Sequence, residues 1–541
     1  MINLALKHLP LVAVLLPLLS GMTAEGAPAG TRSKPNVLFI AVDDMRPELG
    51  CYGNTIVKTP NIDRLAAQGM VFTRAYCQMA VCWATRSSLL TGRRPDATRV
   101  CENTPNNGHF RVALPDVVTL PQYFKNNGYY CASLNKVYHS GLEDGRSWSE
   151  PAWFPNGMTI DTDPVDWTKR TLRRVAPGVT EYVHGTLPWD NDKPYEGEGA
   201  KPPIGPPFEV SSKGDDELPD GYTAVEALKR LRELKAKKQP FFLAVGFIKP
   251  HLPFVAPKKY WDLYDPEKIP TPMMDRLPEG APKFAYNNFG ELRAYANVPK
   301  KGPIPTDMAK TLRHGYYASI SYTDAQVGRL LDALDQEGLA DNTIIVLWGD
   351  HGYQLGDHGI WCKHTNFELA THAPLLISVP GQKTAGQKCD TLAEFVDVYP
   401  TLADLCGLPI PHELEGVSLK PALVDPKFPV NQVAISQYPR AGGETGGRSL
   451  MGYSIRDERW RLTLWRDRNN AEIVATELYD EKNDPAETVN LAAKPENQAV
   501  IKALSRYLPQ QPKGLVKPQA GKPEKKESTL QTLTGSTVVN L

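Results

Sequence analysis

Four stretches of the chain are apolar at nearly every position rather than at alternate ones: 36–42, 241–247, 343–348 and 373–380. Such unbroken runs of β-favouring residues predict strands covered on both faces, as in a parallel sheet. Further strands are predicted at 71–76 and 129–134. A different period governs 307–337. There Leu312, Tyr316, Ile320, Thr323, Val327, Leu330 and Leu334 recur at three- and four-residue spacing, which predicts a long packing helix. On that helix the tyrosines read as core and Asp324 as structural. Shorter helices are predicted after Thr59-Pro60, closed by Gly69, at 222–238, ended by Pro240, and at 394–406 around Pro400. The alternation predicts an α/β fold with a large, mostly parallel mixed sheet flanked by helices.

From residue 431 the pattern changes. Short strands at 433–437, 454–456, 461–465 and 477–480, with a helix near 497–508, predict a smaller antiparallel sheet subdomain. The stretches 141–220 and 255–305 are rich in turn formers and show no period. They are predicted as loops that shape a substrate pocket, and the glycine-rich turn at 441–447 is expected to reach back toward it. The expected organisation is a leader at 1–29, a catalytic domain at 30–430, a subdomain at 431–510 and a disordered polar tail at 511–541.

Composition narrows the partners. Lys plus Arg and Asp plus Glu both total 61, so no global field recruits nucleic acid or an anionic membrane. Any affinity for an anion must be local. The leader has a short basic start, Lys7-His8, and an apolar run at 9–19 that is too short to span a bilayer. It predicts export, secreted or periplasmic, with no stable membrane association. The 8 cysteines form no CxxC pair, which argues against structural zinc.

Charged residues gather where the predicted strands end. Asp43-Asp44 follow 36–42, and Gly349-Asp350-His351-Gly352 follow 343–348. Adjacent carboxylates repel unless a cation or basic groups hold them, so this pattern suggests a hard divalent metal, provided that the two strands are neighbours. The plain alternative for Asp44 is a turn or a helix cap. Lys136 and His139 follow 129–134, and Lys249-Pro250-His251 follow 241–247. The proline fixes the backbone between two basic groups, so both can be aimed at one anion. Taken singly, Lys136 and His139 read as a surface lysine and a satisfied histidine, and Lys363 as a solvated charge. Cys82 precedes an expected helix start, with Thr85 or Ser87 as candidate N-caps. Arg86, Arg93 and Arg94 add charge suited to a tetrahedral oxyanion. The plain reading of Cys82 is a buried cysteine on an ordinary helix.

The run from Cys82-Trp83-Ala84-Thr85-Arg86 through Leu90-Thr91-Gly92-Arg93 resembles the signature of the type I sulfatases. The likeness extends from about residue 34 to 424. It points to iduronate 2-sulfatase-like members through Gly92-Arg93-Arg94-Pro95-Asp96, Lys249-Pro250-His251 and Asp350-His351. The resemblance implies an alkaline phosphatase-like fold and an exported enzyme that hydrolyses sulfate esters of sulfated saccharides. The narrower expectation is 2-O-sulfated uronic acid residues. It implies that a maturation enzyme oxidises Cys82 to formylglycine, whose hydrate attacks sulfur. It implies one Ca2+ held by Asp43, Asp44, Asp350, His351 and residue 82, with Arg86 and Lys136 in the catalytic site and Lys249 and Lys363 on the sulfate. His251 would protonate the leaving alcohol, and His139 would take a proton from the second hydroxyl at residue 82. An imidazole is unusual on calcium; the alternative for His351 is a hydrogen bond to the sulfate or to the modified residue. Ala84 stands where the family usually has Pro, and Thr85 where it has Ser. The oxygen-dependent maturation machinery favours Pro and the radical-based machinery accepts Ala, so conversion is expected to depend on the host. Two other readings remain: a phosphodiesterase or phosphonate hydrolase of the same superfamily, and a non-catalytic sulfated-glycan-binding protein if Cys82 stays a thiol.

Overall fold

The strand β1 (Asn36–Val42) is buried along its whole length, and its side chains alternate between two cores. Leu38, Ile40 and Val42 face one, while Val37, Phe39 and Ala41 face the other. This two-sided burial is why the sequence shows an apolar run there instead of alternation. In this computed structural model, residues 34–509 are described, apart from 102–107, 140, 164–169, 176–204 and 273. The expected leader and tail lie outside the described residues.

The main sheet has ten strands. After β1 they are β2 (Met70–Tyr76), β3 (Tyr130–Asn135), β4 (Ala152–Trp153), β5 (Met158–Thr162), β6 (Arg170–Arg174), β7 (Phe241–Phe247), β8 (Thr343–Gly349), β9 (Leu375–Ser378) and β10 (Gln387–Glu394). Their order is β10-β2-β9-β8-β1-β7-β3-β4-β5-β6. The centre, β8-β1-β7-β3, is parallel and in step: Val42 lies opposite both Gly349 and Phe247, and Asn135 opposite Gly246. Four strand ends therefore converge on one edge. β9 runs antiparallel to both of its neighbours, and β4, β5 and β6 continue the sheet beyond β3.

Helices cover both faces. α1 (Cys82–Thr91) packs on one, with all ten of its residues buried. α2 (Pro219–Ala236) and α4 (Thr306–Gln336) pack on the other, and all seven residues of the expected apolar stripe on α4 are buried. Between them lies the short helix α3 (Gly290–Ala294). A second, antiparallel sheet follows in the order β11 (Ala434–Arg440), β12 (Leu450–Arg456), β13 (Trp460–Asp467), β14 (Ile473–Asp480), with a helix at Gln498–Ser505 against it.

Three expectations change. The stretch 141–220 is not all loop, because β4, β5 and β6 add to the sheet and Phe208–Ser211 pairs with Phe254–Pro257. These segments are too short to show a period against their turn-rich surroundings. Glu394 ends β10, and the expected 394–406 helix begins only at Val398, after a 3-10 turn. Helix α1 starts at Cys82 behind Val81, so neither Thr85 nor Ser87 is its N-cap.

Asp324, on α4, is structural as expected. Its carboxylate accepts from the backbone N–H of Asn61 (3.0 Å) and Ile62 (2.7 Å) and from the Asn61 side chain (2.8 Å), so it caps the helix Pro60–Gln68 from outside. Asp324→Ala leaves buried donors unpaired and is expected to lower unfolding stability by about 1–3 kcal/mol, measured by denaturant titration. An unchanged midpoint would contradict this assignment.

Candidate active site

Cys82 and Arg86 are four residues apart on α1, so they share one face of the helix. That face meets the converged strand ends. The Arg86 guanidinium donates from Nε to Asp350 Oδ2 (2.9 Å) and from Nη2 to Asp43 Oδ1 (3.2 Å). Its Nη1 donates to the carbonyls of Lys136 and Val137, so one side chain ties α1 to β8, β1 and β3. Lys136 also pairs directly with Asp43. Gly246 on β7 is required for this convergence, because a Cβ there would lie 2.2 Å from the Lys136 backbone.

Asp350 Oδ1 accepts from the backbone N–H of Asp44 and of His351, both at 3.0 Å. Asp44 takes a left-handed turn (φ 59). Tyr316 of α4 pins that turn: its hydroxyl donates to Asp44 O (2.7 Å) and accepts from Arg46 N (2.9 Å). The tyrosine is core, as its spacing predicts, and it also shapes the site.

His351 Nε2 lies 3.3 Å from Cys82 Sγ and 3.4 Å from Asp44 Oδ1. Its Nδ1 is 2.9 Å from the Gly352 carbonyl, which can only accept. Nδ1 therefore carries a proton, and Nε2 faces the cluster. Asp43, Asp44, Cys82 and His351 each offer one ligand atom within 4.8 Å of the others. Two carboxylates with Asp350 beside them suit a hard divalent cation.

Opposite Cys82, Lys363 Nζ donates to both oxygens of Asp44 (3.0 Å each) and to Glu291 Oε1 (2.9 Å), and it lies 3.3 Å from His251 Nε2. His251 Nε2 is 3.1 Å from the same Glu291 oxygen. Glu291, on α3, escapes the sequence reading because its stretch has no period and follows the turn formers Asn287, Asn288 and Gly290. Asp44, His251 and Glu291 also lie at mutual ligand distance, but the Lys363 ammonium stands within 3.3 Å of all three and takes a cation's place among them.

Lys249 is placed differently from expectation. Its Nζ donates to the carbonyls of His251 (2.9 Å) and Pro253 (2.6 Å), bracing the turn that carries His251. Asp220, at the start of α2, holds that turn from below through the N–H groups of Ile248 (2.9 Å) and Lys249 (2.7 Å). His139 is half-buried in the loop beyond Lys136. Arg93 and Arg94 are drawn away from the site. Gly92 ends α1 in a left-handed conformation, and the two arginines turn outward to pair with Glu415 and Glu394. Their charge is spent on packing and is not available to an oxyanion here.

Charge fixes the protonation pattern. Burial alone would raise the Asp43 carboxyl, but Lys136, His251 and Arg86 hold it well below the usual range. Burial penalises the Lys363 ammonium, yet Asp44 beside it raises its pKa well above the ordinary value. Burial raises Asp350, and Asp43 adds to the shift. Burial and then Asp43 push the Cys82 thiol well up, so it is a neutral thiol and a poor nucleophile as it stands. Lys249 is brought down to about 8 by burial.

The second sheet buttresses both loops of the site. Ser436 Oγ donates to Cys77 O (2.6 Å) and Gln437 N to Gln78 O (2.8 Å), just ahead of α1. Arg440 donates to His364 O (2.7 Å), next to Lys363. It is this arginine, at the mouth of the 441–447 turn, that reaches back. Cys51, Cys77, Cys82, Cys131, Cys362, Cys389 and Cys406 form no disulfide.

Comparison with known proteins agrees with this geometry. The family model described as Sulfatase matches residues 35–408, and that described as N-sulphoglucosamine sulphohydrolase, C-terminal, matches 356–513. Iduronate 2-sulfatase of Homo sapiens is 36% identical over 528 residues, covering 84% of this chain and 90% of the relative. A sulfatase of Formosa agariphila is 33% identical over 485 residues, covering 88% and 86%. Among solved structures, a protein in complex with its substrate D-glucosamine-2-N,6-O-disulfate has a TM-score of 0.65 at 21% identity, covering 88% of this chain and 96% of that one. The phosphonate monoester hydrolase of Agrobacterium radiobacter has a TM-score of 0.64 at 22% identity, covering 87% and 94%. At those identities the two structures share the fold with this chain. The chain belongs to the sulfatase family and is a sulfuric ester hydrolase similar to iduronate 2-sulfatase.

Proposed function

We propose that the protein is an exported sulfatase of sulfated saccharides, with 2-O-sulfated uronic acid residues as substrate and formylglycine, made from Cys82 by a maturation enzyme, as nucleophile. The observation that carries this reading is the placement of Cys82. It stands at the first position of a buried helix, with its sulfur 3.3 Å from His351 and at ligand distance from Asp43 and Asp44. A hydrated aldehyde at that position supplies a nucleophilic oxygen that the buried thiol does not.

The other residues take roles that follow from their places around Cys82, save His139, whose role comes from the resemblance. Asp43, Asp44, Asp350 and His351 would hold a calcium ion, which supplies positive charge for a sulfate oxygen. The charge balance supports this. Around the site the carboxylates of Asp43, Asp44, Asp350 and Glu291 face Arg86, Lys136, Lys249 and Lys363, so little net charge is left for an incoming anion. Arg86 and Lys136 keep the carboxylates ionised and in place. Lys363 offers its ammonium to the sulfate, and Lys249 adds positive charge behind the His251 turn. His251 gives the proton on Nε2 to the leaving oxygen, and His139 removes a proton at position 82.

The phosphodiesterase reading is less well supported. The one further metal-like set encloses an ammonium, so among the described residues no second cation site stands beside the first.

The substrate proposal is tested by sulfate release from uronate disaccharides on protein purified from the native host. Expected is a kcat/KM for the 2-O-sulfated uronate at least about 100-fold above that for an isomer sulfated on the amino sugar; preferred turnover of a phosphodiester would overturn it. Chelation of divalent ions is expected to cut activity about 100-fold or more, with recovery on adding calcium. Full activity after exhaustive chelation would show that the reaction needs no metal.

A further inference from the structure

Glu291 takes no part in the roles given above, yet it lies within hydrogen-bond distance of both His251 Nε2 and Lys363 Nζ, whereas Asp44, which also accepts from Lys363, stands 3.7 Å from His251 Nε2. Both contacts run through a single oxygen: Oε1 lies 3.1 Å from His251 Nε2 and 2.9 Å from Lys363 Nζ. Its other oxygen, Oε2, is buried and has no hydrogen-bond partner among the described residues. Burial would raise the Glu291 carboxyl, but Lys363 and His251 hold it well below the usual range, so it is a carboxylate.

The loop around Glu291 is built to stay where it is. Asn287 donates from Nδ2 to the Lys363 carbonyl (3.0 Å), so the loop grips Lys363 by its backbone as well as by its ammonium. The same asparagine accepts from Phe289 N. Phe289 is held in a left-handed conformation (φ 41) with the Arg293 guanidinium stacked 3.9 Å from its ring centre. Arg293 in turn donates to the carbonyls of Asn288 (2.9 Å) and Gly302 (2.6 Å).

The His251 ring has one direction available to it. Nδ1 is 2.7 Å from the Leu252 carbonyl, an acceptor only, so Nδ1–H is committed there. Nε2 alone can reach substrate, and Glu291 and Lys363 are the groups that aim it. When Nε2 carries a proton it donates to Glu291 Oε1; when it does not, it accepts from Lys363. Oε1 keeps both partners at hydrogen-bond distance in either case.

We propose that Glu291 is a positioning residue for protonation of the leaving group, acting through His251 and Lys363. This rests on the reading of His251 as general acid. In that step the S–O bond to the leaving oxygen breaks, its electron pair stays on that oxygen, and the Nε2 proton passes to it. Glu291 holds the Nε2–H in line until the leaving oxygen takes its place. It then remains anchored on Lys363, which keeps the ammonium against the sulfate side.

A merely structural loop residue would slow all substrates alike. A residue that aims the general acid matters most when the leaving group is a poor one. The test measures kcat/KM for aryl sulfates ranging from nitrophenyl to phenyl, together with an alkyl sugar sulfate, in the full-length enzyme and in Glu291→Gln, Glu291→Ala and His251→Ala. The isosteric glutamine keeps the volume and the fold. Expected for Glu291→Gln is a loss of about tenfold or more on the alkyl ester and less than about threefold on the nitrophenyl ester, with a larger gap for Glu291→Ala. His251→Ala is expected to steepen the dependence on leaving group further, and adding Glu291→Gln to it should steepen it no more. An unchanged slope in both Glu291 variants alongside a steep one in His251→Ala overturns the role of Glu291 and leaves the general acid standing. An unchanged slope in His251→Ala overturns the general acid and this proposal with it.

Discussion

The site depends on one buried guanidinium. Arg86 lies between Asp43 and Asp350, all three side chains wholly buried, and joins two strand ends that would otherwise repel each other. Leaving a buried carboxylate without its partner costs about 3–5 kcal/mol, so the sheet edge and the helix can form together but not apart. Once Arg86 is seated, helical spacing decides the rest: the residue one turn earlier, Cys82, must face the same cluster. The place of Cys82 is thus set by the charge pair behind it.

The opposite wall is made in another way. Lys363 follows the small hairpin formed by Gln354–Leu355 and Trp361–Cys362, and His251 follows β7 through a turn braced by Lys249 and Asp220. Neither wall belongs to a single segment. The second sheet supports both, through Ser436 and Gln437 on one side and Arg440 on the other. A further buried cluster ties it on: Arg461 pairs with Glu368, Glu481 and Glu487, joining β13 to the loop just past Lys363.

Much of this was legible in the residues themselves. The buried strands β1, β7 and β8 showed as apolar runs because both of their faces are covered, and α4 showed through its spacing. Asp43, Asp44, Asp350 and His351 could be picked out because strand ends are where open α/β sheets place their chemistry; that they meet depended on β1 and β8 being neighbours, which only the register supplies. Glu291, Asp220 and Arg440 carried no signal. Their importance comes from long-range contacts made by short or irregular segments, and nothing local marks them. Arg93 and Arg94 misled for the same reason: their charge was visible, while the glycine that turns them toward Glu415 and Glu394 acts only in three dimensions. β4, β5 and β6 are too short to have a period of their own.

The proposed function stands or falls on position 82 being a processed nucleophile. The measurement that tests it most directly is the mass of the peptide containing residue 82, taken from enzyme purified out of its native host. Expected is a peptide about 18 Da lighter than the cysteine form, the change from thiol to aldehyde, in the fraction that releases sulfate. A fully active preparation in which that peptide carries only the unmodified thiol would contradict it.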